Sequence, residues 1–178
     1  MQHEDTLYQI DSGQTLCVSE PEPPYEQLVS QSNADTLLYL PKQRVNDHLH
    51  TYPDAGCRLE VPIIAIDRSE LFYLTVTPGK YDFYKVSDQL RVKSTNILLA
   101  RIDIGSSLVH INPDGERIVG PHLHTYREGY SLRFAQTLEN TSFTSPEDPW
   151  KTLDEFMSFC TIIKKPEIQR GADQWQQT

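Results

Sequence analysis

Apolar and polar positions alternate through the middle of the chain and fall at helical spacing near its end. Residues 58–66 (RLEVPIIAI) and 71–77 (LFYLTVT) are rich in β-branched and aromatic side chains and flank the polar turn at 67–70. They predict two strands joined as a hairpin, with Pro62 marking an edge. Residues 81–86 are read as continuing the sheet, and 97–104 (ILLARIDI) give the strongest core strand. Residues 112–115 (NPDG) predict a tight turn, because proline pre-sets φ and glycine accepts a positive φ. A strand at 121–126 follows. Near the C-terminus, Leu153, Phe156, Met157 and Cys160 fall at i, i+3, i+4 and i+7. That spacing predicts an amphipathic helix over 150–161 that starts beside Pro149.

The first third is less regular. Residues 1–23 read as an acidic arm ending in prolines, 25–31 as a short helix, 35–41 as a strand or short apolar segment, and 42–56 as polar turns. Residues 171–178 read as a loose tail. The pattern therefore predicts one α+β domain over 1–178. Its core is a mostly antiparallel sheet at 57–135, able to close partly into a barrel, with a helix near each end.

Composition narrows the class. The length is normal for one domain, and a chain of 178 residues buries roughly 70% of its unfolded surface without a disulfide or metal staple. Cys17, Cys57 and Cys160 are odd in number and widely spaced, which argues against a disulfide framework or a cysteine zinc site. No apolar run approaches the ~20 residues of a membrane helix, and the first residues lack the pattern of a signal peptide, so a cytoplasmic protein is expected. Net charge is −9, but residues 1–60 carry ten acids and three bases, whereas 78–133 carry eight bases and six acids. Long duplex DNA is an unfavourable ligand for such a chain. A short RNA, a nucleotide, or a basic protein bound through the acidic N-terminal region stays open.

Half of the six histidines, His110, His122 and His124, lie within fifteen residues. On a strand, His122, His124 and Tyr126 share a face at about 7 Å per step of two, and a hairpin could add His110. Three uses stay open. Imidazoles can serve as general acid and base on a phosphodiester, with arginine stabilising the added charge and no metal. His122, His124 and Glu128 can hold a divalent transition metal. The rings can also be structural. The run H-x-H-x-x-x-E resembles the first motif of cupin barrels, but no histidine follows His124 and the second, glycine-rich cupin motif is absent.

The elements R-x-D-I at 101–104, H-I-N-P-D-G at 110–115 and H-L-H-T-Y-R-E-G-Y at 122–130 resemble an uncharacterised family of small bacterial proteins from genomic islands and prophages. Its matching polar positions are Arg101, Asp103, His110, Asn112, Asp114, His122, His124, Tyr126, Arg127 and Glu128, with Gln89 and Arg91 as a further Q-x-R element. Residues 131–135 depart from the glycine- and tryptophan-containing segment of relatives. The resemblance implies a mobile-element setting, where toxins, defence proteins and their inhibitors are common. The leading expectation is a metal-independent ribonuclease or phosphodiesterase. His122 and His124 would be acid and base, with His110 and Tyr126 beside them and Arg91, Arg101 and Arg127 binding phosphate. The alternatives are a non-catalytic acidic inhibitor and a metal-dependent enzyme.

Overall fold

The computed structural model describes residues 29–82 and 84–171. The acidic arm at 1–23, most of the helix expected at 25–31, and the tail beyond 171 lie outside the described residues.

Helix α1 spans Gln31–Tyr39, where the sequence suggested a strand or short apolar segment from residue 35. Local chemistry explains the difference. The Ser30 hydroxyl accepts from the Asn33 N–H, a start signal for a helix. Ala34 and Leu38 then fall one turn apart and are buried, and Pro41 prevents continuation. Two short strands, β1 (Lys42–Arg44) and β2 (Leu49–Thr51), occupy the segment expected to be turns.

The expected hairpin is present as β3 (Leu59–Ala65) and β4 (Leu71–Pro78). Strands β5 (Val86–Val92) and β6 (Leu98–Ile104) extend it. The described residues between β4 and β5 do not continue the sheet; Tyr81 and Tyr84 stand exposed in this connection. Next come β7 (Val109–Ile111), β8 (Arg117–Val119), β9 (His122–Thr125) and β10 (Ala135–Thr137). Helix α2 (Pro149–Phe159) and strands β11 (Ile162–Lys164) and β12 (Glu167–Gln169) complete the order.

Eight strands form one open sheet in the order β10-β9-β6-β5-β4-β3-β1-β11, antiparallel except at β1–β11. It does not close into a barrel. Pro62 is not on an edge strand, since β3 lies between β4 and β1. It is tolerated because β1 ends at Arg44, opposite Ile63, leaving no partner that needs the missing N–H.

The two faces differ sharply. Phe72, Leu74, Leu90, Ile102 and Leu123 join Leu153 and Phe156 of α2 and Ala34 and Leu38 of α1 in one buried cluster. Asp88 also lies on this face, fully buried. Lys42 is buried where both helices end, its Nζ donating to the carbonyls of Leu38 (2.6 Å), Leu40 (2.8 Å) and Cys160 (3.0 Å). Burial lowers this amine to about 8. The other face carries the polar side chains. Register places Asp103 opposite both Ser87 and His122, and Arg101 opposite both Gln89 and His124. No helix among the described residues is long and apolar enough to cross a membrane.

Candidate metal centre

Strand β9 supplies two imidazoles. His122 and His124 project from the polar face while Leu123, between them, enters the core. His110 arrives from β7, the first strand of the β7–β8 hairpin, which the turn at 112–115 closes. The Asn112 side chain fastens this hairpin. Its amide donates to Ala135 O at 3.0 Å, and its oxygen accepts from Ala135 N at 2.7 Å. Asn112 is thus an anchor as well as a turn former.

The three rings form a compact triangle, with centres 5.4 Å (His110–His122), 4.8 Å (His110–His124) and 5.0 Å (His122–His124) apart. Each offers a possible ligand atom, and these lie within 4.8 Å of one another. The partners settle one nitrogen of each ring. Carbonyl oxygens only accept, so N–H groups must face Gly120 O from His122 Nδ1 (2.8 Å), Leu132 O from His124 Nδ1 (2.7 Å) and Arg133 O from His110 Nε2 (3.0 Å). In the neutral rings, lone pairs remain on His122 Nε2, His124 Nε2 and His110 Nδ1. Burial, and then the neighbouring His124 and His110 rings, hold His122 below its ordinary range against the Gly120 carbonyl and Asp103.

Asp103 completes the cluster. Its Oδ2 lies 3.2 Å from His124 Nε2 and 3.6 Å from His122 Nε2. Burial would raise this carboxyl, but it is outweighed by the His124 ring, the Arg101 charge and the Ser87 hydroxyl, which hold it at about 2. It is therefore an anion set against two imidazole nitrogens, a place that favours a cation. Arg101 supplies one, donating from Nε to Asp103 Oδ2 and from a terminal nitrogen to His124 Nε2, both at 2.9 Å.

The ring-centre spacings match those around a bound ion, while the ligand atoms, within 4.8 Å of one another, would draw in on binding. Ligand atoms about 2.0–2.1 Å from a tetrahedral metal stand about 3.4 Å apart, and imidazole ring centres around it roughly 5 Å apart. Carbonyl acceptors on the far nitrogen of each ring are the usual support of metal-bound histidine. Three residues could thus hold a metal, His110, His122 and His124, and Asp103 stands beside two of them.

The other expected residues lie elsewhere. Glu128 Oε2 accepts from the Gln31 N–H at 2.8 Å and so caps α1; an acid favours a helix N-terminus, and Glu128 is spent there. Tyr126 packs in the core cluster, its hydroxyl donating to Val29 O at 2.8 Å. The strand alternation that would have placed it beside the histidines ends at Thr125. Arg91 pairs with Glu60 at 2.6 Å, bonds Asn96 and covers the Tyr73 ring. Arg127 stacks on Phe134 at 4.0 Å. Of the three arginines, Arg101 alone reaches the histidines.

Sequence reasoning did not assign Asp103 to the site. The pairing register that sets it against both histidines is a long-range property, although its two-residue spacing from Arg101 already placed both on one face. A groove of about 550 Å³ opens beside the centre, lined by Arg101, Asp103, His110 and His122 together with Lys80 and Lys85. Neither lysine was singled out in the sequence.

No curated protein and no solved structure matches the chain. One family model does match, over residues 29–162, a span that holds the three histidines, Asp103 and Arg101. That span is most of the chain, and the protein belongs to DUF6978, a family of unknown function.

Proposed function

We propose that this chain is a metal-dependent enzyme whose centre is one divalent transition-metal ion held by His110, His122 and His124, with Asp103 beside them. One observation carries the reading: three imidazoles, each with one nitrogen engaged by a main-chain carbonyl, bring possible ligand atoms within 4.8 Å of one another, two of them against a carboxylate. Neutral imidazole suits zinc, iron, nickel or copper. The open groove gives a second molecule access to the ion, which a purely structural site would not need.

Elemental analysis of protein purified without chelator tests this. About one ion per chain is expected, falling below about 0.1 in a His122→Ala, His124→Ala double variant that retains its fold by circular dichroism. A folded parent protein that binds no ion when titrated with zinc, nickel, iron or manganese would remove the proposal.

A second reading is favoured by Arg101, which already bridges Asp103 and His124. In it the guanidinium is the permanent cation, and His110 and His122 act as acid and base on a phosphodiester without metal. Cleavage of short RNA that persists in excess chelator and is lost in His110→Ala would favour this reading over the first.

A further inference from the structure

The groove beside the centre differs in charge from the chain around it. Net charge is −9 overall, yet the groove is lined by Lys80, Lys85 and Arg101, with Asp103 as the one acid among the described lining residues. Thr77 adds a hydroxyl donor. Its volume of about 550 Å³ suits a mononucleotide-sized molecule.

One of the lining lysines, Lys85, is closely seated among backbone and glycine neighbours. The loop closes through Gly79 N–H donating to Lys85 O at 2.6 Å. A Cβ on Gly79 would stand 2.6 Å from Asp82 O and 3.2 Å from Lys85 Cβ. On the other side, a Cβ on Gly105 would come within 2.9 Å of Lys85 Cγ. The Lys85 stem thus runs between two glycines that alone leave it room. Gly56 gives Lys80 a similar seat, 3.2 Å from its Cβ and Cγ. Among the described residues, neither lysine forms an ion pair. Lys85 is half-buried, so less rotamer freedom is lost when it meets a ligand.

We infer that this groove takes an organic phosphate of mononucleotide size, its phosphoryl oxygens held between Lys85, Arg101 and the metal centre. The inference rests on the proposed metal reading and names its substrate class. A singly charged carboxylate would leave part of this cationic set uncompensated. A phosphoryl group, with up to two charges and three free oxygens, would engage all of it. Arg101 can exchange its contact with His124 for the phosphate as the ion takes that lone pair.

Calorimetric titration of the zinc-loaded full-length chain with AMP, adenosine and acetate tests the assignment. AMP is expected to bind and the other two are not. Lys85→Ala should weaken AMP at least about tenfold, Lys85→Arg should restore most of it, and zinc content should be unchanged in both. Equal binding of AMP and adenosine, preference for acetate, or indifference to Lys85→Ala would overturn it. Zinc-loaded protein that ignores AMP sinks the groove and spares the metal centre. Protein that takes no zinc but binds AMP through Lys85 does the reverse.

Discussion

Two aspartates on neighbouring strands have opposite fates because they face opposite ways. Asp103 points into the polar cluster, is paired and stays ionised at about 2. Asp88 points into the core, where neither oxygen has a hydrogen-bond partner among the described residues. Burial, and then the charge of Asp103, raise it well above the ordinary carboxylate range. The folded chain therefore keeps the Asp88 proton at pH values where the unfolded chain has released it. Stability from this group is complete below pH ~4 and falls by about 1.4 kcal/mol per pH unit up to the folded value. Asp88→Asn should accordingly leave stability near pH 4 almost unchanged and exceed the parent by a widening margin toward pH 7, read by urea denaturation. Parallel pH profiles for the two proteins would show that Asp88 is ionised in the fold. A similar dependence on surroundings limited what could be read from residue type. Glu128 stands at metal-ligand spacing from the histidines, but the nearby start of α1 takes its carboxylate.

Among the elements, the β7–β8 hairpin decides whether a third imidazole reaches the pair on β9. Its turn was legible because Asn112, Pro113, Asp114 and Gly115 each carry a local conformational preference. The strands flanking Pro62, Arg101 and Leu123 were legible from alternation and β-branching, and α2 from its apolar stripe. Helix α1 was not, because Ser32, Asn33, Asp35 and Thr36 are poor helix formers and its stability comes from the Ser30 cap, from Glu128 and from burial of Leu38. The attachment of the hairpin was equally hidden, since Asn112 looks like a turn residue yet bonds a main-chain segment 23 positions away. Asn112→Ala would unpair the Ala135 N–H and C=O, at a cost of about 1–3 kcal/mol. It should also loosen zinc binding by about 10–100-fold, as loss of a supporting contact does. A competition titration against a chromophoric chelator measures this; unaltered zinc affinity would show that the hairpin is held by other means.

At the scale of the molecule, one sheet separates two environments, an apolar face closed by the helices and a polar face that gathers charge. An ion bound only by the folded arrangement stabilises the whole by mass action. Zinc at 100 times its dissociation constant should add about 2.7 kcal/mol and, for a domain of this size, raise the melting temperature by roughly 5–10 °C. A scanning-calorimetry midpoint that does not move with zinc would contradict a ligand set assembled by folding. The separation also shows why the pairing of Asp103 with the histidines escaped a linear reading: it depends on which strands become neighbours. The buried amine of Lys42 has a related consequence. It holds carbonyls from the ends of both helices, the one at Cys160 lying 118 residues along the chain from Lys42 itself. Neither helix can peel away without stranding a charge in the apolar layer, so the first and last thirds of the domain should lose amide-exchange protection together.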